Sequence, residues 1–323
     1  MIDEAAFGGT LQISVILCTY NRYQSLAKAL DSVAASSLSS QIEWEVLVVD
    51  NNSSDQTREV VESVCSRYPG RFRYVFELQQ GKSHALNAGI REASGDILAF
   101  MDDDVVVEPT WLRNLTAALE DVNWAGAGGR ILLEQSFSPP RWLSLNGRYG
   151  MGGILALFDL GDVARELDQP PYGTNMAFRR SIFEKYGGFR IDLGPRPGSE
   201  IRGEDTEFGR RIMLAGERLR YEPSAVVHHA VPQSRRQKKY FLKWWFDLGR
   251  SAIREGPRPD VWHLGIPRTI AGSVPVMLRW MLALNPQRRF YCKTRIWLAA
   301  GQIAEVYRQR RLGFAKPTSL GNA

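Results

Sequence analysis

The chain is poor in cysteine: it has three, Cys18, Cys65 and Cys292, and none forms a CxxC pair. A disulfide framework and a thiolate zinc site are thereby excluded, and a reducing, cytoplasmic compartment is expected. Internal repeats and low-complexity stretches are missing too, which removes fibres and solenoids. The first residues, MIDEAAFGGT, are acidic and carry neither a basic flank nor an apolar run, so no signal peptide is expected. No GxGxxG follows the first apolar run and no GxxxxGK[ST] occurs anywhere, which argues against a dinucleotide dehydrogenase and a P-loop phosphotransferase. What is present is 323 residues, 44% of them hydrophobic, enough for one large domain with an appendage.

Charge is divided unevenly. Residues 1–229 hold 23 Lys+Arg against 31 Asp+Glu, whereas residues 230–323 hold 18 against 4. The basic part contains two largely apolar stretches, Gly265 to Leu284 and Phe290 to Tyr307, interrupted by Arg268, Arg279 and other basic residues. A spanning helix would need about 20 apolar residues with few or no charges. Helices lying on an anionic membrane surface are therefore expected, with helices packed on their own domain as the alternative. No DNA or RNA motif accompanies the charge, so nucleic acid is not an expected partner.

Before that tail, short β-branched runs alternate with helical periodicity. Ile13 to Leu17, Val46 to Val49, Phe72 to Phe76 and Ile97 to Phe100 read as buried strands. Between them Leu26, Leu30 and Val33, then Val60, Val61 and Val64, then Leu86 and Ile90 recur at helical spacing. The expected fold class is α/β, a Rossmann-like, mostly parallel sheet flanked by helices. Ligands of such sheets bind beyond the carboxyl ends of the strands, where strand order reverses.

Polar residues collect at those ends. Cys18-Thr19-Tyr20-Asn21-Arg22 follows the first run, Asp50-Asn51-Asn52-Ser53-Ser54-Asp55 the second, and Asp102-Asp103-Asp104 the fourth. Three adjacent carboxylates repel one another, and a divalent cation such as Mg²⁺ or Mn²⁺, with phosphate and water ligands, relieves the repulsion. Asp102 and Asp104 would face one side if strand geometry persisted through them. A helix cap ahead of Pro109-Thr110-Trp111 could absorb one of the three. In Gly203-Glu204-Asp205-Thr206-Glu207-Phe208, Asp205 sits where a helix begins, either as a plain cap or as a general base. Of His228 and His229 in a β-like stretch, only one can face the site, as a structural residue or as a ligand completing a carboxylate-bound metal.

In family order, the segments VILCTYNR (from Val15), VVDNNSSD (from Val48), GKSHALNAGIREASGDILAFMDDD (from Gly81), GTNMAFRR (from Gly173), GGF (from Gly187) and GEDTEF (from Gly203) resemble the motifs of family 2 glycosyltransferases with the GT-A fold. The resemblance covers about residues 12 to 232. It implies an inverting enzyme that moves a sugar from a nucleotide diphosphate sugar, with UDP the expected carrier, to a hydroxyl of a glycan or lipid-linked acceptor. It implies a donor site at Thr19, Tyr20, Asn21, Asp50, Lys82, Asp102, Asp103, Gly173, Asn175 and Glu204, with the base near Tyr20 and Asp50 and the donor sugar beside Gly173 to Asn175. Asp102 and Asp104 stand as its DxD motif, with His229 reaching the Mn²⁺ or Mg²⁺ or a phosphate, and Asp205 as the catalytic aspartate. Lys82 also reads simply as an exposed lysine at a helix start. One displacement needs no covalent nucleophile, in keeping with the lack of a GxSxG signature.

The expected organisation is a catalytic domain over 1–232 and a basic, aromatic-rich helical appendage over 233–323, peripheral on the cytoplasmic face of a membrane. Its RRQKKYFLKWW segment, from Arg235, places aromatic residues suited to a bilayer interface. Two rivals remain at this stage. A nucleotidyltransferase would use the same aspartates, and a non-enzymatic glycan- or lipid-binding protein could share the fold.

Overall fold

The computed structural model describes residues 12–38, 42–198, 201–255 and 262–311. The N-terminal segment read for a signal peptide lies outside them. In chain order the elements are β1 (Gln12–Thr19), α1 (Tyr23–Ala34), β2 (Glu43–Asp50), α2 (Thr57–Arg67), β3 (Phe72–Phe76), α3 (Lys82–Glu92), β4 (Ile97–Asp102), β5 (Val105–Val107), α4 (Trp111–Ala117) and β6 (Gly126–Leu133). There follow β7 (Arg165–Glu166), β8 (Asn175–Arg179), α5 (Arg180–Tyr186), α6 (Glu204–Leu214), β9 (Leu219–His229), α7 (Lys238–Glu255), α8 (Trp262–Leu282) and α9 (Pro286–Arg311). They form two compact units. One comprises 1–138, 152–199 and 203–232; the other comprises 139–151, 200–202 and 233–323.

The first unit is built on one sheet of order β3-β2-β1-β4-β8-β6-β9-β5, with β7 on β9. The strands from β3 to β4 are parallel, because a helix returns the chain after each of the first three. All four runs read from sequence lie within these strands. From β8 onward the sheet is mixed: β8 is antiparallel to β4 and β6, while β6 and β9 run parallel. The expected parallel character thus belongs to half of the sheet. Helix α1 forms because Leu26, Ala29, Leu30 and Val33 recur on one face and are buried there.

Two features place the functional edge. Strand order reverses between β1 and β4, and the register sets Thr19 opposite Asp50 and Cys18 opposite Asp102. Beneath α6, Phe208 stacks on Phe183 at 4.7 Å between nearly parallel rings and meets Phe178 edge-on at 5.2 Å. These contacts anchor the helix whose first turn carries Glu204, Asp205 and Glu207.

The second unit is helical. Trp142 meets Phe290 and Phe241 edge-on at 4.5 and 5.2 Å, so segment 139–151 is tied to α7 and α9. Helices α7 and α9 approach closely at two glycines: a Cβ on Gly249 would collide with the Leu298 carbonyl, and one on Gly301 with the Phe246 carbonyl. Among the described residues no helix is long and apolar enough to cross a membrane.

Candidate active site

Lys82 opens α3 directly after Gly81, a residue whose φ of 143° favours glycine. Its ammonium lies 2.6 Å from Asp102 Oδ1 and 3.7 Å from Glu204 Oε1. Burial alone would lower the lysine, but Asp102, Glu204 and Asp205 outweigh it and hold the ammonium above its ordinary value. Burial likewise opposes ionisation of Asp102; Lys82 prevails and keeps that carboxyl below the usual range. The second Asp102 oxygen accepts from the Thr174 hydroxyl at 2.7 Å. Lys82 is therefore the cation around which two acidic motifs, far apart in sequence, converge.

Asp205 lies at the start of α6. Its Oδ2 accepts the Gly173 N–H at 2.8 Å, and its Oδ1 accepts the Thr206 N–H at 2.7 Å. A Cβ on Gly173 would lie 3.3 Å from that Oδ2 and 3.7 Å from Lys82 Nζ, tighter than ordinary packing at the carboxylate. The backbone of the GTN segment thus holds Asp205 in a fixed orientation.

The triple aspartate departs from expectation in its geometry. Strand β4 ends at Asp102, and Asp103-Asp104 form a turn before β5, so strand alternation does not carry Asp102 and Asp104 to a common side. Asp102 turns to Lys82 and Thr174, as above. Asp103 is buried, accepts the Thr19 hydroxyl at 2.8 Å and pairs with Arg22 at 3.0 Å. Burial is the main force that pushes the Asp103 carboxyl up to about 6; Arg22 resists, and Asp104 adds to the rise. Asp104 pairs with Arg22 at 3.1 Å and lies 3.4 Å from His229 Nε2. That last contact follows from pairing, since His229 of β9 stands opposite Val105, the residue after Asp104. His228, on the other face of the strand, meets Glu108 at 3.2 Å.

A carboxylate oxygen beside an imidazole nitrogen fits a hard or borderline divalent cation. Among the described residues no group of three His, Cys, Asp or Glu side chains is placed to hold a metal ion. Asp104 and His229 offer two such donor atoms, while Asp102 pairs with Lys82 and Thr174.

At the β1 and β2 ends, Asp50 is buried; its Oδ1 accepts the Ser53 N–H at 2.9 Å and its Oδ2 the Tyr74 hydroxyl at 2.8 Å. Tyr20 is exposed, as a ring offered to a ligand would be. Asn21, in a left-handed conformation with φ of 51°, clasps the neighbouring loop by accepting the Ser54 N–H at 2.7 Å and donating its own N–H to the Ser53 hydroxyl. Asn175 does not join the acidic cluster. It is fully buried, its Oδ1 accepts from the Trp111 indole, and its amide nitrogen donates to the carbonyls of Arg130 and Ala225. Its side chain stitches β8 to β6 and β9, and the preceding Gly173 and Thr174 face the acidic cluster.

Sequence reasoning assigned no role to Arg22 or Tyr74. Arg22 stands inside a segment already singled out, next to Asn21; Tyr74 looks like any half-buried strand aromatic.

Residues 14–187 match the family model described as glycosyl transferase family 2. The chain belongs to that family. It is accordingly a glycosyltransferase, and the family 2 motifs are the ones gathered at the sheet edge. Among curated proteins it is 29% identical over 243 residues to the succinoglycan biosynthesis protein ExoM of Rhizobium meliloti, covering 75% of this chain and 74% of ExoM. It is 28% identical over 233 residues to the glycosyltransferase AglE of Haloferax volcanii, covering 71% and 70%. Among solved structures it resembles the mannosyltransferase PcManGT of Pyrobaculum calidifontis, determined with GDP-Man and Mn²⁺, with a TM-score of 0.62 at 20% identity over 92% of this chain and 87% of the other. Residues 1–349 of S. aureus TarS, determined with UDP, give 0.51 at 16% identity over 95% and 93%. These likenesses establish the GT-A fold.

Proposed function

We propose that this family 2 enzyme transfers a sugar, with inversion, from a UDP-sugar to a hydroxyl of a glycan or lipid-linked acceptor, in the cytoplasm. The observation that carries the reading is the convergence of Asp102, Glu204 and Asp205 on Lys82, with Asp205 oriented by the Gly173 N–H.

In this reading Tyr20 offers a face to the base, and Asp50, steadied by Ser53 and Tyr74, accepts its N–H. Thr19 and Asp103 support the ribose side, and Asn21 clasps the two loops that carry these residues. Lys82 and Glu204 border the diphosphate and the sugar, and Gly173 leaves room for the sugar. The Asp205 carboxylate takes the proton of the acceptor hydroxyl as that oxygen bonds to the anomeric carbon and the bond to the diphosphate breaks on the opposite face. Asp104 and His229 would hold a Mn²⁺ or Mg²⁺ ion, with Asp102 at the edge of that site. When bound, the ion supplies charge compensation for the departing diphosphate. The donor carriers of the two solved neighbours, GDP-Man in PcManGT and UDP in TarS, support a nucleotide diphosphate at this edge.

Product analysis tests the reaction: release of nucleoside diphosphate is expected, and release of pyrophosphate would establish nucleotidyl transfer instead. A panel of sugar nucleotides scored by protection against thermal unfolding tests the carrier, because a ligand that binds only the native state raises the melting point. A shift with GDP-sugars and none with UDP-sugars overturns the UDP assignment.

A further inference from the structure

The second unit has an unusual helix. From Thr269 to Leu282 no side chain of α8 is buried, although most are apolar. Helices apolar on all sides belong inside a protein or a membrane. On α8, Ile270, Val274, Met277, Leu278 and Met281 fall on one face at spacings of three and four, each between 44% and 58% exposed. Leu282 and Leu284 continue the patch at 80% and 98%. A different face carries Ser273, Val276 and Trp280, which are partly covered. Helix α9 packs along α8, and its Arg289 lies 5.8 Å from the Trp280 ring.

We propose that the exposed face of α8 docks on an anionic lipid bilayer, lying in the interface with the stripe from Ile270 to Leu284 sunk among the acyl chains. Among the described residues no helix, α8 included, is both long and apolar enough to cross a membrane. The occupant is identified by charge. Residues 233–323 carry 18 Lys+Arg against four Asp+Glu. Two of those acids, Asp247 and Glu305, are buried and already paired with Lys243, Arg250 and Arg254. Among the described residues of this stretch the charged side chains that face outward are positive, including Arg279, Arg288, Arg289 and Arg311. A second copy docked through the same face would bring the same positive charge against it, whereas anionic headgroups complement it. Apolar stripe and basic surroundings together supply the two signals that stable attachment needs. The proposal does not depend on the reaction catalysed at the sheet edge.

The test uses the full chain sedimented with vesicles of phosphatidylcholine alone or mixed with phosphatidylglycerol, at low and high salt. Binding to the anionic vesicles is expected to exceed binding to neutral ones by about fivefold for each basic residue at the surface, and to fall as salt rises. The triple variant Met277→Ser, Leu278→Ser, Met281→Ser is expected to lose about tenfold or more in vesicle binding while helical circular dichroism and nucleotide binding are kept, since all three side chains are exposed. A wild-type chain left in the supernatant with anionic vesicles at low salt overturns the proposal. So does vesicle binding untouched by the triple variant, or light scattering that finds a dimer which the triple variant dissolves.

Discussion

The two units put their polar and apolar groups to opposite uses. In the sheet-bearing unit apolar side chains fill the strands, and charge is gathered at their ends, where Asp102, Asp103, Asp104, Glu204 and Asp205 are held by Lys82, Arg22 and backbone N–H groups. In the helical unit buried charge joins the helices: Glu305 of α9 is 2% exposed and binds Arg250 and Arg254 of α7, while the apolar side chains of α8 face outward. In the first unit the charge gathers at the strand ends, where strand order reverses; in the second it joins α7 to α9.

Four substitutions sharpen that contrast, the largest effect first. Asp205→Asn keeps the side-chain shape but cannot take up a proton, and its amide nitrogen cannot accept one of the two N–H groups, of Gly173 and Thr206, that the carboxylate oxygens accept. Turnover is expected to fall about a thousandfold, with donor affinity by calorimetry nearly unchanged. Equal losses in both would make Asp205 a binding residue. Lys82→Met leaves Asp102 and Glu204 facing each other without their cation; a loss of about 3 kcal/mol in denaturant unfolding is expected, together with weaker donor binding. An unchanged stability would mean that the acids are held apart by something other than Lys82.

In the helical unit, Gly301→Leu forces α9 away from the Phe246 carbonyl of α7 and should lower stability by about 2 kcal/mol, read as loss of helical signal on heating. Retained stability would show that the two helices can separate at little cost. The smallest effect belongs to pH. Burial opposes it, yet hydrogen bonds and charge from Arg254 and Arg250 hold the Glu305 carboxyl below its ordinary value of 4.5. Its contribution to stability is therefore present above that value and is lost as pH falls through the lower folded-state value. Melting curves should show Glu305→Gln narrowing the difference between neutral and acid pH by about 1 kcal/mol. A variant with the same acid sensitivity as the wild type would place the acid-labile charge elsewhere.

Much of this was legible in advance because the relevant signals are local. Three of the four runs, in β1, β2 and β4, are short and buried, while that of β3, read as buried, is an edge strand with only Phe72 buried; the helices between them keep a clear period, and polar residues stand where those strands stop. The shape of the acidic turn was not legible. Nothing in Asp102-Asp103-Asp104 announces that the strand ends at the first of them, since β5 resumes one residue after the third and pairs with β9, more than a hundred residues later. The burial of Asn175 was not legible either: its amide is engaged by Trp111, Arg130 and Ala225, partners from three other parts of the sequence. The mixed half of the sheet was missed because long connections, without hairpin turns, join β6, β8 and β9. The grouping of 139–151 with the tail rests on Trp142 finding Phe241 and Phe290, which no sequence period encodes.

The pairing of β1 with its two neighbours has a consequence for how this enzyme can change. Because backbone ladders align Thr19 with Asp50 and Cys18 with Asp102, the spacing among these groups is measured by the strands, as by a ruler. Adding or removing a single residue inside β1 would turn every later side chain of that strand over and set its loop one step out of line with the others. Variation in substrate choice is therefore cheapest in the loops beyond the ruler, and most forbidden in the plain aliphatic stretch that never touches a sugar.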